Sequence, residues 1–204
     1  MSHPQTSEHT VLQVAQKHVL LRARDVVQAG LPTVVLTRLV SAGKLERVGR
    51  GVYSLPNQPI SENRSLAEVA IRVPRGVVCL VSALSVHDIG TQLPHAVWLA
   101  LPRQTVSPRI ASPSLRIIRM SGSSLIEGID KIVADGVEVR VFNAAKTVAD
   151  CFKFRNKIGL DVALEALHDG WRNRRFTMDE LWHYAVVNRV ANVMRPYLES
   201  VAAS

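Results

Sequence analysis

Five side chains in the first quarter of the sequence have types and spacing suited to contacting nucleic acid: Thr33, Thr37, Arg38, Arg47 and Arg50. A threonine offers a hydroxyl to a base edge and a methyl to a thymine methyl, and an arginine offers paired donors to guanine or to phosphate oxygens. The chemistry that this set indicates is recognition by hydrogen bonds and charge, with no covalent step.

The surrounding residues predict the elements that position this set. Ala23–Gln28 is predicted to form a short helix with Val26 and Val27 facing inward. Gly30 closes it, because glycine is the residue best suited to a sharp turn between helices. Pro32 is expected in the first turn of the next helix, where proline is tolerated.

This next helix is predicted to approach DNA. Leu36, Leu39 and Val40 fall on one side at helical spacing, and Gly43 ends the helix. The opposite side has no acidic residue and consists of small or β-branched side chains and one arginine: Val34, Thr37, Arg38 and Ser41, with Thr33 at the leading end. An ordinary amphipathic helix usually has a well-charged outer face, so this composition favours close approach to base edges.

A hairpin is predicted after this helix. Residues 45–48 and 52–55 form its two strands, and residues 49–51 make the tight turn. Arg47 and Arg50 then lie on the hairpin as phosphate or minor-groove contacts. Two helices, a turn and a basic hairpin in this order are typical of a winged helix-turn-helix. A small helical domain whose hairpin binds only protein is the alternative.

The charge of the chain favours a polyanionic partner. The 204 residues include 25 Lys or Arg against 17 Asp or Glu, for a formal net charge of +8. Residues 1–57 hold seven of the basic residues and three of the acidic ones, so positive charge is densest where the motif lies. The hydrophobic fraction of 47% is ample for the cores of one large domain or two small ones.

Cysteine usage and hydropathy indicate an intracellular protein. Cys79 and Cys151 lie in apolar surroundings without metal-ligand spacing, so we expect two small buried residues in a reducing cytoplasm. No apolar run approaches the roughly 20 residues that span a bilayer. Residues 1–9 have no secretion-signal pattern. We therefore expect a cytoplasmic protein without membrane association.

The fold class expected is α+β, in two domains. Residues 1–57 form the N-terminal winged helix-turn-helix domain, with residues 1–8 as an irregular tail, and residues 56–59 serve as the linker. Residues 58–204 form a C-terminal mixed α/β domain that ends in helices. A first helix behind the motif is indicated by spacing at Val11, Val14, Ala15, His18 and Val19.

Four strands are predicted in the C-terminal domain, over residues 77–81, 97–101, 115–120 and 137–142. Helices are predicted over residues 66–73 and 82–89. Three more helices close the chain, with Asn143 as the cap of the first, residues 159–161 at the start of the second, and a capping box at residues 177–180 opening the third.

No catalytic site is predicted. The seven histidines show neither metal-ligand spacing nor a partnered nucleophile. Ser82, Ser85, His87 and Asp88 are close in sequence but lack the turn that exposes a nucleophilic serine. Glycine-rich phosphate loops and compact pairs of acids are missing as well. We therefore expect no enzymatic activity, no metal and no cofactor.

Three blocks of sequence, in order, underlie a family resemblance: residues 21–53, residues 82–90, and residues 141–150 followed by Arg155. The first contains Leu-Arg-Ala-Arg-Asp and ends in Gly-Arg-Gly-Val-Tyr, and the last contains Lys-Thr-Val-Ala-Asp. Together these blocks resemble the AbiEi family of antitoxins and transcriptional regulators, over most of residues 11–170.

The resemblance implies a bacterial repressor that binds double-stranded DNA at its own promoter, at repeats, through the winged domain. Such a repressor is usually encoded beside a nucleotidyltransferase-type toxin, and its C-terminal domain contributes to neutralising that toxin. Toxin and antitoxin of these type IV systems are generally described as needing no stable complex.

Transferred to this sequence, the resemblance implies DNA contacts at Thr33, Thr37, Arg38, Arg47 and Arg50, joined by the phosphate contacts Arg22 and Arg24. Lys146 and Asp150 are candidates for a functional role in the C-terminal domain. The interpretation that we favour for them is a local i, i+4 ion pair, worth about a few tenths of a kcal/mol.

Three other functions stay open. A solitary DNA-binding regulator has the same sequence features. A nucleotidyltransferase needs Gly-Ser followed by a pair of acids, two residues apart, that hold Mg²⁺. Gly122-Ser123 is present, but Asp135 is followed two residues later by Val137, so the second acid of the pair is missing. Direct capture of a toxin would use the exposed residues 171–175 and the proline-rich loop 102–113. Residues 171–175 are explained equally well as a solvated cationic turn after a helix or as a supplementary DNA contact.

Overall fold

The computed structural model describes residues 4–17, 19–57 and 61–202. Contacts group the chain into two compact units. The first comprises the residues up to Glu68 together with Val133–Glu138, and the second comprises Val69–Ile132 with the residues from Val139 onward. The domain boundary expected after residue 57 stays a prediction, since residues 58 and 59 of the expected linker lie outside the described part.

The first unit contains three helices and a small antiparallel sheet. Its elements in chain order are α1 (Pro4–Lys17), β1 (Leu21–Arg22), α2 (Ala23–Gln28), α3 (Val34–Ser41), β2 (Glu46–Gly49) and β3 (Val52–Ser54). The sheet order is β1-β3-β2, both pairs antiparallel. A fourth helix, α4 (Arg64–Arg72), spans the residues at which the grouping changes from the first unit to the second.

Helices α2 and α3 end with the same pattern of backbone hydrogen bonds, and in each case the chain turns at a glycine. After α2, the Gly30 and Leu31 amides donate to the carbonyls of Val27 and Val26 (2.9 and 3.0 Å). After α3, the amides of Gly43 and the next residue donate in the same pattern to residues 40 and 39. Both glycines have positive φ, as this helix ending requires.

The core of the first unit joins all three helices to the sheet. Its buried apolar residues are Val11, Ala15, Leu21, Val26, Val35, Leu36, Leu39 and Leu45. The helical spacing of Val11 and Ala15 is therefore confirmed, as are Leu36 and Leu39 as the inner face of α3. His18 lies outside the described residues.

Three expectations for the first unit are wrong. The irregular tail does not extend through residue 8, because α1 begins at Pro4 and buries Ser7; proline is well suited to a first helical turn. Val27 is 57% exposed, since neighbouring helical positions lie about 100° apart and Val26 already occupies the inner face. Pro32 precedes α3, whose N-cap is Thr33.

The second unit continues the chain as an alternation of strands and helices. Its elements are β4 (Val77–Val78), α5 (Leu80–Val86), β5 (Val97–Pro102), β6 (Leu115–Met120), α6 (Ser123–Ile126), β7 (Ile129–Ala134), β8 (Val137–Phe142), α7 (Ala144–Lys153), α8 (Arg155–Ile158), α9 (Leu160–Arg172), α10 (Met178–Val187) and α11 (Ala191–Ala202). The last two residues of β7 and the first two of β8 are grouped with the first unit. The five strands form one mixed sheet of order β6-β5-β4-β8-β7. The expected α+β class is confirmed.

Strand pairing explains why this sheet is mixed. β4 pairs antiparallel with β5 but parallel with β8, and β5 pairs parallel with β6. β7 and β8 are joined by two residues, a connection that only antiparallel neighbours allow. Every residue of α7 except the last is buried, so this helix lies at the centre of the unit's core.

The sequence misassigned or missed several elements of this unit. The apolar run 77–81 is a strand only at β4, and its remainder begins α5, because a fully buried run has no periodicity that separates strand from helix. α6, β7, α8 and α11 were not expected. α11 contains Pro196, which ordinarily breaks a helix.

The predicted caps are present. The Asn143 side chain accepts from the Lys146 amide (2.8 Å), and the Thr177 hydroxyl accepts from the Glu180 amide (3.2 Å) in a capping box. Cys79 and Cys151 are free and wholly buried, as expected. Among the helices of the described ranges, none has the length and apolar character needed to cross a membrane.

Candidate nucleic-acid interface

Helices α2 and α3, with the turn at Gly30, fit a helix-turn-helix. α3 buries Val35, Leu36 and Leu39 and leaves the opposite side to solvent. The exposed set is the one that the spacing predicted: Thr33, Val34, Thr37, Arg38 and Ser41. This face has no carboxylate, so nothing on it repels a phosphate backbone.

Arg38 is the charged group of this face. Its side chain is exposed and makes no hydrogen bond or ion pair with any residue that the structure describes. Val34 beside it is 51% exposed although it is apolar. A free guanidinium next to an exposed methyl-bearing side chain offers both of the contacts used at base edges, paired hydrogen bonds to guanine and apolar contact with thymine.

The β2–β3 hairpin presents two further arginines. Arg47 and Arg50 are exposed, and the Arg47 Nε donates to the Gly49 carbonyl (3.3 Å). The register of the pair shifts between Arg47 and Gly49, and Gly51 completes the turn with φ of +71°. Arg50 has no partner among the described residues, so its charge is free for an external anion.

The start of α2 lies against this hairpin. Strand β1 pairs with β3, with Arg22 opposite Val52, and the Ala23 amide donates to the Gly51 carbonyl (2.8 Å). Arg22 and Arg24 are therefore next to the turn that follows Arg50. The sequence did not predict β1, because two residues cannot show strand periodicity and their pairing partner is some 30 residues away.

The two arginines at the start of α2 differ in how free they are. The Asp25 carboxylate accepts from the Arg22 amide (3.2 Å) and from its Nε (2.8 Å). Arg24 is 66% exposed, and its Nε lies 3.9 Å from the same carboxylate. Arg22 is thus engaged in holding the helix start, whereas Arg24 resembles Arg50 in its availability. Both assignments as phosphate contacts stay predictions.

One basic residue of this surface was absent from the predicted contacts. Lys44 lies in the turn after α3, is exposed, and has no partner within the described ranges. Its place beside the Gly43 turn follows from the helix ending described above. The high density of Lys and Arg in residues 1–57 was the sequence feature that could have indicated a role for this residue.

Lys146 and Asp150 occupy a different environment, in the core of the second unit. Both side chains are fully buried, and the Lys146 Nζ lies 2.5 Å from the Asp150 Oδ1. The ammonium also lies 4.2 Å from the centre of the Phe142 ring. The expected i, i+4 pairing is confirmed. The strength of about a few tenths of a kcal/mol expected for it applies to exposed helical pairs, and neither of these groups is accessible to water.

A chain of polar groups continues from this pair. The Asn188 amide donates to the Asp150 Oδ1 (2.7 Å), and the Asn188 Oδ1 accepts from the Ser124 hydroxyl (3.0 Å). The Lys153 ammonium donates to the Ser124 Oγ (2.9 Å). The Asp150 Oδ2 is buried and has no hydrogen-bond partner among the described residues.

Burial dominates the electrostatics of this cluster. It raises the pKa of Asp150 above its usual value despite the Lys146 ammonium, and it lowers the pKa of Lys153. Burial likewise raises the pKa of the Cys79 and Cys151 thiols, which the Asp150 charge raises further. Any role of Lys146 or Asp150 is therefore exerted through the fold of the second unit, since no external group reaches them.

Comparison with known proteins supports the N-terminal assignment. Residues 9–56 match the family model described as "Transcriptional regulator, AbiEi antitoxin", which confirms the resemblance over that segment. The segment includes α2, α3 and the β2–β3 hairpin. No curated protein matches the sequence significantly.

One similar solved structure is the crystal structure of the RV2827C protein from Mycobacterium tuberculosis. The two share 14% sequence identity with a TM-score of 0.55, over 95% of this chain and 79% of that one. At this identity the similarity concerns the fold alone.

Proposed function

We propose, on the premise that residues 9–56 match a family of transcriptional regulators and antitoxins, that this chain is a sequence-specific DNA-binding repressor. The observation that supports this best is the outer face of α3, which is exposed, free of acids and contains an unpaired arginine.

In this proposal the first unit acts as a winged helix-turn-helix. α3 enters the major groove, where Thr33, Thr37 and Arg38 contact base edges. The β2–β3 hairpin is the wing, and its Arg47 and Arg50 contact phosphates or the minor groove.

The start of α2 adds phosphate contacts on the same proposed surface. Arg24, exposed beside the hairpin turn, is the stronger candidate, and Arg22 contributes the part of its guanidinium that Asp25 leaves unpaired. Together with Lys44 and the hairpin residues Arg47 and Arg50, these two side chains supply about five phosphate contacts, which is enough for a steep salt dependence of binding.

The family match indicates a regulator or antitoxin, and we propose the type IV form of that role. The chain would repress its own promoter, at repeats, and counteract a nucleotidyltransferase-type toxin encoded beside it. The role is non-enzymatic and cytoplasmic, because the sequence lacks the paired acids of a nucleotidyltransferase and its target is DNA.

A promoter–reporter assay tests this function. The segment upstream of the gene drives a reporter, and the chain is supplied from a second plasmid. We expect the wild type to lower expression, Arg38→Ala to relieve the repression, and Arg109→Ala to repress like the wild type. Arg109 is the matched control because it is an exposed arginine of the 102–113 loop. Equal expression with and without the wild-type chain would refute autoregulation.

A further inference from the structure

A groove of about 840 Å³ lies in the second unit at the C-terminal end of α9. Its described lining comes from the last turn of α9, the connection to α10, the first turn of α10, and Val201 of α11. Sites for small ligands typically measure about 300–1,000 Å³. None of the residues assigned to DNA contact lies in this groove.

The floor of the groove is apolar. Trp171, Phe176, Met178 and Val201 line it, and Phe176 and Val201 are largely buried. A side chain at Gly170 would begin 2.4 Å from the Phe176 ring, so glycine is needed there for the ring to pack against the helix. The floor is therefore a fixed apolar surface that belongs to the core.

The rim of the groove is cationic. Arg172, Arg174 and Arg175 line it, and all three are exposed. The amides of Arg174 and Arg175 donate to the Trp171 and Gly170 carbonyls (3.0 and 2.9 Å). Arg174 thereby occupies the left-handed position of this helix ending, with φ of +52°, where glycine is usual.

Two carboxylates near this rim do not pair with Arg172 or Arg174. The Glu180 carboxylate accepts from the Thr177 amide and hydroxyl (2.8 and 2.9 Å). Asp88 lies 3.8 Å from the Arg175 Nη2, at an exposed site. Arg172 and Arg174 make no hydrogen bond or ion pair within the described part of the chain.

The helix dipole accounts for only part of this arrangement. The C-terminal end of α9 favours a nearby cation. It does not explain two unpaired guanidinium groups beside an open apolar floor. Fixed apolar walls with a few convergent charged groups are the usual composition of a site for an organic anion.

We propose that this groove binds an amphipathic anion, a planar apolar body with one carboxylate, phosphate or sulfonate group. The body lies against Trp171 and Phe176, and the anionic group pairs with Arg172 and Arg174. This site is separate from the proposed DNA-binding surface, and its test contains no DNA. A failure of either proposal is therefore visible without the other.

The test uses the full chain and the fluorescent dye 8-anilinonaphthalene-1-sulfonate, which combines a planar naphthalene ring system and a phenylamino group with one sulfonate. We expect saturable binding by the wild type and binding weakened about tenfold or more by Arg172→Ala/Arg174→Ala, because charge-assisted contacts are lost. Arg103→Ala/Arg109→Ala removes the same charge from the exposed 102–113 loop and should leave the dissociation constant within about twofold, since neither residue lines the groove.

A neutral dye of similar shape, N-phenyl-1-naphthylamine, tests the need for the anion and should bind at least about tenfold more weakly than the sulfonate dye. Thermal melting of each variant excludes dye binding to unfolded chain. Inorganic phosphate and benzoate compete separately, and the better competitor identifies the anionic group. Equal dye binding by the two double variants, or displacement by a poly-glutamate peptide but by neither small anion, would overturn the proposal.

Discussion

Replacing Lys146 by methionine removes one charge from the buried pair and leaves the aliphatic part of the side chain in place. The lysine is fully buried, so the carboxylate of Asp150 then loses its ammonium partner without gaining access to water. Asn188 still donates to one carboxylate oxygen, but the other already lacks a partner among the described residues. The substitution therefore leaves a buried, largely uncompensated charge.

The loss of unfolding free energy depends on whether the unpaired Asp150 carboxyl stays charged or takes up a proton. Breaking a buried ion pair costs about 3–5 kcal/mol. The alternative for Asp150 is to accept a proton, which from an ordinary pKa near 3.8 costs about 4 kcal/mol at pH 7, at about 1.4 kcal/mol per pH unit. We therefore expect Lys146→Met to lower the free energy of unfolding by about 3–4 kcal/mol at pH 7.

The loss of stability in Lys146→Met should also depend on pH. Burial raises the pKa of Asp150 in the folded chain, and the Lys146 ammonium opposes that rise. Removing the ammonium raises the pKa of Asp150 further, so the folded variant binds the proton more strongly than the wild type does. Stability then falls as the pH rises from the ordinary value to the raised one, and it is recovered on acidification. The deficit of Lys146→Met relative to wild type should shrink to about 1–2 kcal/mol at pH 5.

Urea unfolding followed by tryptophan fluorescence measures the stability of the second unit, to which Lys146 and Asp150 belong. All three tryptophans, at positions 98, 171 and 182, lie in this unit. Lys157→Met is the matched control, an exposed helical lysine whose replacement should cost less than about 0.5 kcal/mol. A loss below about 1 kcal/mol for Lys146→Met at pH 7, or a deficit equal at pH 5 and pH 7, would refute the buried-pair reasoning.

Three further outcomes are expected. Arg50→Ala should weaken binding to every DNA sequence and reduce the slope of log K against log salt by about one, measured by anisotropy, whereas an unchanged slope would exclude a phosphate contact. Thr37→Arg should change which base pair is preferred at one position, measured by selection from a randomised duplex, and equal losses on all sequences would contradict base contact by that residue. Asn143→Ala should lower the stability of the second unit by about 1 kcal/mol in urea, through loss of the α7 cap, and no loss would show that the cap is dispensable.

The elements that the sequence predicted well have strong local signals. α2 ends at a glycine, α3 has one apolar side, and β8 alternates cleanly, so each could be placed from neighbouring residues. The caps at Asn143 and Thr177 were predicted for the same reason, since a cap depends on three or four consecutive residues.

The elements that the sequence missed depend on distant contacts. β1 exists through its pairing with β3, and α11 continues through Pro196 because Met194, Leu198 and Val201 are buried in the core. Tertiary packing overrides local propensity in such cases.

The burial of Lys146 and Asp150 also depends on residues distant in sequence, so the sequence did not predict it. Their spacing is visible in the sequence, but their removal from water depends on elements up to about 40 residues away, such as the one that contains Asn188. The outer face of α3 was predictable because amphipathic spacing on one helix determines it. The contact between the hairpin turn and the start of α2 was not, because β1 was missed.

Sequence-specific recognition of DNA is measured by fluorescence anisotropy of the full chain with its own upstream segment and with a scrambled duplex, across a salt series. We expect a preference of about a thousandfold or more for the native segment, with a salt slope that corresponds to several phosphate contacts. Equal and weak binding to both duplexes would contradict it, and would reduce the N-terminal surface to a basic patch without sequence recognition.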